Sequence, residues 1–169
     1  MDTLEYSIFE TAFGWMGVLA SRVWLVATTL PRPSARHVRL ELGIDERQAI
    51  CSSRRLSEIE ERLKDYFKGE KVDFSDKLDL STATPFQKQV WLATRSIPSG
   101  QTRSYQWVAV QIGKPGAARA VGQALGRNPL PIIVPCHRVL ASGGGLGGFG
   151  GGLELKRRLL RLEGSSVGA

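Results

Sequence analysis

The order of apolar and polar residues divides the chain into a strand-like beginning and a helical remainder. Short runs rich in aromatic and β-branched residues occupy 6–9, 13–20 and 23–27, broken by glycine or by Ser21-Arg22. Such runs predict a small antiparallel meander with Trp15 and Trp24 in its core. Pro31-Arg32-Pro33-Ser34 closes it, and Ser34 is placed to cap a short helix through Leu42. Leu56, Ile59, Leu63, Tyr66 and Phe67 then recur at helical spacing, with charges between them and Gly69 as a stop. Residues 70–83 are polar and irregular and read as a linker. The expected domains are therefore 1–80 and 84–169.

Helix signals are clearer in the second half. Thr84-Pro85-Phe86-Gln87 offers a capping threonine, proline at the first helical position and glutamine three residues after the cap. That helix carries Val90, Trp91 and Leu92 and ends before Pro98-Ser99-Gly100. Ser104 begins a short helix bearing Tyr105, Trp107, Val108 and Val110. Gly113-Lys114-Pro115-Gly116 makes a turn, and a third helix covers 117–125. Two short helices around a glycine-containing turn form a helix-turn-helix pattern, which also occurs as a mere packing unit. The fold class that follows is α+β: a β-meander and helix domain, then a mostly helical domain with a helix-turn-helix and a short strand at the site.

Charge changes the picture. The 169 residues carry a net charge of +7, and the whole excess lies after residue 100. There Arg103, Lys114, Arg119, Arg127, Arg138, Lys156, Arg157, Arg158 and Arg161 face only Glu154 and Glu163. A one-sided basic surface is the footprint of a nucleic-acid binder. A solvated helix face accounts for 156–161 taken alone, but not for the arginines scattered before it. No apolar stretch is long enough to span a bilayer. The first residues lack the basic patch of a secretory signal, so a cytoplasmic protein is expected, nucleoid-associated in a prokaryote or nuclear in a eukaryote.

The cysteines are Cys51 and Cys136, and the histidines are His37 and His137. They make neither a disulfide framework nor a zinc ligand set, so no metal and no cofactor are expected. Cys51 lies in a polar stretch and is given no role. Cys136 stands in Pro135-Cys136-His137-Arg138, after the apolar run 130–134, which reads as a short buried strand. Free cysteines are commonly inert core residues. Beside a histidine and an arginine, however, a thiolate gains population and can act as a nucleophile.

From Thr84 onward the chain resembles the O6-alkylguanine-DNA alkyltransferases, or methylated-DNA–protein-cysteine methyltransferases. The likeness rests on Pro85-Phe86-Gln87, Ser104-Tyr105, Ala118-Arg119-Ala120-Val121-Gly122, Asn128-Pro129, the stretch from Ile133 through Cys136 to Val139, Gly151-Gly152-Leu153 and Leu162-Glu163-Gly164. These cover about half of the chain, in the family's order. The N-terminal half resembles the family's variable domain only loosely.

The resemblance implies that Cys136 accepts the alkyl group once and irreversibly. His137 would take the thiol proton through a water, oriented by Glu163. Asn128 would brace the turn before the cysteine, and Arg138 would fix the local structure without reacting. Tyr105 would hydrogen-bond the guanine ring and help turn its phosphate. Arg119 would enter the base stack in place of the flipped nucleotide. Ala118, Ala120 and Gly122 would allow close approach in the minor groove, with Arg127 nearby. Val134, Pro135, Leu140, Phe149, Gly150 and Gly151 would line or back the alkyl pocket.

The eight glycines of 141–152 otherwise read as a flexible linker. Phe149 and Gly150 stand where relatives usually carry tyrosine and often serine, which implies a looser loop and a roomier pocket. The expected partner is double-stranded DNA containing O6-alkylguanine. The protein is expected to act as a monomer, with cooperative binding along DNA left open. A damage sensor, a transcription regulator and a cysteine hydrolase are the competing readings.

Overall fold

The computed structural model describes residues 3–166. The chain divides between Ser81 and Thr82 into two compact units.

The first unit is built on a four-stranded sheet in the order β3-β2-β1-β4. Strands β1 (Leu4–Thr11), β2 (Gly14–Ala20) and β3 (Leu25–Thr28) form the expected antiparallel meander. Strand β4 (Ala49–Cys51) pairs parallel with β1 and was not legible in its polar surroundings. Helix α1 (Ala35–Leu42) begins at Ser34, whose hydroxyl accepts from the His37 amide. It lies directly over β2 at Gly17, where a Cβ would sit 2.5 Å from Val38 Cγ1 and 2.6 Å from Leu42 Cδ1. Helix α2 (Ser57–Phe67) buries Ile59, Leu63, Tyr66 and Phe67, as its spacing predicts.

Two expectations for this unit change. Trp24 is 44% exposed, because β3 begins at Leu25 and leaves the indole in the preceding turn under the Lys77 ammonium. Residues 76–79 are strapped to the sheet. The Leu25 amide donates to Lys77 O and the Asp79 amide to Leu25 O, each at 2.8 Å, while Arg62 pairs with Asp76 at 2.7 Å.

The second unit is mostly helical. Helix α3 (Pro85–Arg95) opens with the full capping box, Thr84 and Gln87 each bonding the other's amide. The two-residue strand β5 (Arg103–Ser104) leads straight into α4 (Tyr105–Gln111), capped by Ser104. Helix α5 (Ala118–Gly126) follows the glycine turn, and the Trp91 indole of α3 donates to Ala124 O at 2.9 Å to fix it. Strand β6 (Val139–Leu140) pairs parallel with β5, and α6 (Leu153–Leu162) ends the unit. Val90, Ile97, Val108, Val121, Leu130 and Leu159 are buried in its core.

No helix among the described residues is long and apolar enough to cross a membrane.

Candidate active site

The apolar run before the cysteine is a tight buried turn rather than the expected strand. Ile132 has φ 75°, the one positive value on a non-glycine residue among those described. A β-branched residue in that conformation costs about 1–3 kcal/mol and persists only where its surroundings enforce it. Asn128 supplies the enforcement. Its Oδ1 accepts from the Leu130 amide and its Nδ2 donates to Val134 O, both at 2.9 Å. The Val134 amide also closes onto Leu130 O at 2.8 Å. Burial of Leu130, Ile132, Ile133 and Val134 then holds the turn apolar side inward.

This turn delivers the chain through buried Pro135 into a 3-10 turn, Cys136–Arg138. The strand β6 therefore follows the cysteine instead of preceding it. Pairing of Arg103 with Val139 and Ser104 with Leu140 sets Tyr105, at the start of α4, beside the cysteine turn.

Glu163 caps the C-terminal end of α6, and its side chain is only 2% exposed. Oε1 meets His137 Nε2 at 2.5 Å. The Arg138 guanidinium closes on the same carboxylate, with Nε at 3.0 and 2.9 Å from its two oxygens and Nη2 at 2.7 Å from Oε2. Arg138 Nη1 also donates to Ile97 O at 2.7 Å. Arg138 thus fixes the carboxylate as well as the local backbone.

Electrostatics assigns the charges. Burial alone would push Glu163 up, but the hydrogen bonds from His137 and Arg138 and the Arg138 charge hold it well below the usual carboxylate range. Burial pushes His137 down against the pull of Glu163, so the imidazole is neutral and donates from Nε2. Burial pushes the Cys136 thiol up, opposed by the Asn128 side chain and the Lys156 charge. Tyr105 is also raised, first by burial, and its hydroxyl donates to Gly148 O at 3.4 Å. The arrangement holds a thiol, a neutral base and a fixed carboxylate in sequence, which is the equipment for thiol deprotonation.

The remaining candidates take these places. Arg119, Ala120 and Arg127 are exposed on or just after α5, and Ala118 is half-buried. Gly122 faces the Tyr105 ring, where a Cβ would lie 3.8 Å from Cε1. Leu140 is buried, Phe149 and Gly151 are half-buried, and Gly150 is exposed. Among the described residues no group of three or more His, Cys, Asp or Glu is placed to hold a metal ion.

One site residue departs from its expected place. Lys156 belongs to the basic stretch 156–161 but is fully buried. It shares the inner stripe of α6 with Leu159 and Leu160, three and four positions on, and that spacing was the available signal.

Residues 85–165 match the family model described as 6-O-methylguanine DNA methyltransferase, DNA binding domain. A methylated-DNA–protein-cysteine methyltransferase of Mycobacterium bovis is 55% identical over 109 residues, covering 64% of this chain and 66% of that protein. The namesake from Methanosarcina acetivorans is 51% identical over 108 residues, covering 64% of this chain and 69% of its own length. The Mycobacterium tuberculosis OGT solved in complex with DNA superposes with a TM-score of 0.80 at 39% identity, over 94% of this chain and 92% of that one. Likeness of this extent, across both the sequence and the fold, places the chain in the 6-O-methylguanine-DNA methyltransferase family.

Proposed function

We propose that the protein repairs O6-alkylguanine in duplex DNA by transferring the alkyl group to its own Cys136. The observation that carries this reading is the buried contact of His137 with Glu163 in the turn that begins at Cys136. A buried thiol is a poor nucleophile until a base removes its proton, and His137 is the base held neutral for that task.

The thiol proton passes through a water to His137 Nδ1, while Nε2 donates to the Glu163 carboxylate. Sulfur then attacks the carbon bonded to O6. The S–C bond forms, the C–O6 bond breaks, and its electrons pass into the guanine ring. Tyr105 retains its proton and donates a hydrogen bond as that charge develops. The proton held on His137 balances the guanine that leaves. Net, the thiol and the alkylated base become a thioether and guanine, so each molecule acts once.

A target atom inside a duplex is out of reach of a buried cysteine, so the nucleotide must leave the stack, at a cost of about a few kcal/mol. The helix-turn-helix of α4 and α5 serves this step from the minor groove, with Arg119 filling the space of the flipped base. Small residues at 118, 120 and 122 let α5 approach closely. Affinity comes mainly from phosphate contacts and falls with salt. The protein works as a monomer on cytoplasmic DNA and uses no cofactor.

The test is the intact mass of the protein after incubation with a duplex bearing one O6-methylguanine, with Cys136→Ser as control. One methyl group gained, at Cys136 and saturating at one per protein, is expected. No gain together with tight binding to that duplex would overturn the reading in favour of a damage sensor.

A further inference from the structure

The alkyl-transfer steps use residues of the second unit only, whereas the first unit holds a cavity of about 210 Å³. It opens between the β2–β3 turn, the start of α2 and the strap at Asp76-Lys77. Its floor is apolar, with Ala20, Leu25, Leu56 and Ile59 buried. Sites for drug-sized ligands run to about 300–1,000 Å³, so this one has room for a single ring system. The turn beside it is closed on itself. The Ser21 amide donates to Trp24 O at 2.9 Å, and the Trp24 amide donates to Ser21 Oγ at 3.2 Å. Arg55 crosses from just before α2 to donate to the carbonyls of Ser21 and Arg22. Trp24, 44% exposed, therefore stands at the mouth on a firm support.

The charges at the mouth do not cancel. Arg55 pairs with Glu5 and Arg62 with Asp76, which neutralises two of the four cations lining the cavity. Arg22 and Lys77 remain, both exposed and without an ion pair among the described residues. Against them the lining sets one further acid, Glu58. The Lys77 ammonium rests 5.5 Å from the centre of the Trp24 ring, within cation–π reach. Because that lysine is exposed, its stem can exchange the ring for a stronger anionic partner. A ligand that joins a flat ring to an anionic group satisfies the indole and the ammonium together.

We propose that this cavity binds a purine mononucleotide, either free or as an unpaired residue of a strand. The base stacks on Trp24 above the apolar floor, as bases stack on aromatic side chains in single-strand sites. A purine gives the larger face to the indole. Adenine and guanine both carry an amino group, which the exposed Glu58 carboxylate accepts. The phosphate, with about 1.5 to 2 negative charges at pH 7, meets Arg22 and Lys77. Arg62 and Asp76 clamp the strap that forms one wall, and so shape the site without touching the ligand. The site goes beyond the proposed alkyl transfer and shares no residue with it.

The test is a titration of the full chain, read by amide and indole N–H resonances, with GMP, AMP, guanosine, inorganic phosphate and a 5′-phosphorylated single-stranded hexanucleotide. Saturable shifts at the Trp24 indole and in 20–25, 55–62 and 76–77 are expected from GMP or AMP. Guanosine and phosphate alone are expected to bind at least tenfold more weakly, since each carries half of the recognition. Trp24→Ala and Lys77→Glu are each expected to weaken GMP at least tenfold. Both replace exposed side chains, and unchanged resonances away from the cavity show that the fold is kept.

The hexanucleotide separates the two sources. Cavity shifts from the mononucleotides assign the site to free nucleotide. Cavity shifts from the hexanucleotide alone, lost in Trp24→Ala, assign it to an unpaired residue of a strand. No saturable shift in the cavity up to millimolar concentration overturns the proposal, as do shifts confined to the second unit. Phosphate binding as tightly as GMP also overturns it, because the mouth would then be a cluster of surface cations only. Undiminished GMP affinity in Trp24→Ala does the same. Failure of the protein to gain a methyl group from the O6-methylguanine duplex would sink the alkyl-transfer reading and leave these titrations standing.

Discussion

Glu163 holds His137 and Arg138 with one carboxylate, its Oε1 2.5 Å from His137 Nε2 and its Oε2 2.7 Å from Arg138 Nη2. The two partners need different things from it. The imidazole needs an acceptor, which fixes the tautomer with hydrogen on Nε2 and leaves Nδ1 to act as base. The guanidinium needs a negative charge, without which it would be buried and unbalanced.

Glu163→Gln removes both. Its amide can present a donor to Nε2 and favour the wrong tautomer, an error that costs about 10⁴-fold in a comparable hydrolase relay. Transfer from an O6-methylguanine duplex is expected to slow by about 10²- to 10⁴-fold at pH 7. Loss of the charge opposite Arg138 is expected to destabilise the fold by about 3 kcal/mol. Single-turnover kinetics and a melting curve on the same preparation measure the two effects. A variant within threefold of native rate would remove Glu163 from the relay.

Acid should unfold the protein through the same pair. Glu163 stands at about 2 in the fold, against 4.5 for the free side chain. Because the folded value is the lower one, its contribution is complete above about 4.5 and is lost as pH falls toward 2. His137 acts in the same direction at milder pH. It is depressed from 6.5, so below that value the unfolded chain takes up a proton that the fold refuses. Calorimetry from pH 7 to pH 3 should therefore show melting temperature falling in two stages, with the lower stage absent in Glu163→Gln. A flat profile across that range would contradict both assignments.

How much of this was legible in the sequence depended on whether a residue's partners were local. Ser34, Thr84 and Ser104 each bond an amide three residues on, so a reading along the chain finds them. The contact of His137 with Glu163 and the brace by Asn128 were expected because a family pattern fixes the order of these residues, even though Glu163 lies 26 residues from His137. The run 130–134 was misread as a strand because its composition is that of a strand, while its turn is imposed by the Asn128 side chain. Strand β4 went unseen because three residues in a polar stretch gain their structure from pairing with β1. Lys156 was concealed by its neighbours: in a run of basic residues, charge suggested solvent and only the spacing to Leu159 and Leu160 pointed inward.

Arg119 provides a test of DNA engagement apart from thiol chemistry. It is exposed near the start of α5 and makes no contact with the relay. With the role proposed for it, Arg119→Ala is expected to reduce transfer from a duplex by tenfold or more, because flipping would lose the side chain proposed to fill the vacated stack. Transfer from free O6-benzylguanine base should change less than twofold. Equal losses on both substrates would assign the arginine to the fold or to the chemistry.

Phe149 provides a test of pocket size. Its ring is half-buried near the Lys156 ammonium and carries no hydroxyl to bond the lesion. Benzyl transfer should therefore outpace methyl transfer in the native protein, and Phe149→Tyr should narrow the gap by raising the methyl rate. Equal rates on O6-methyl- and O6-benzylguanine duplexes, with no gain from Phe149→Tyr, would argue against a roomier pocket.

Gly147 is where the loop meets the phenol most closely. A Cβ there would sit 2.6 Å from the Tyr105 hydroxyl oxygen, 2.8 Å from Cε2 and 3.1 Å from Cζ. Contacts under 3 Å to a ring cannot be relieved by a small torsion, since the ring moves as one body from its place at the start of α4. The backbone at Gly147 also has φ 70°, a conformation that costs an L side chain about 1–2 kcal/mol. Gly147→Ala must therefore displace either the loop or the phenol. Displacement of the phenol would withdraw Tyr105 from the base it is proposed to serve, while the His137–Glu163 contact lies apart from the clash. The expected result is a duplex transfer rate at least tenfold lower, with iodoacetamide reactivity at Cys136 within twofold of native. Loss of thiol reactivity to the same degree would mean that the loop acts on the nucleophile itself, and that the phenol is not the group through which this glycine matters.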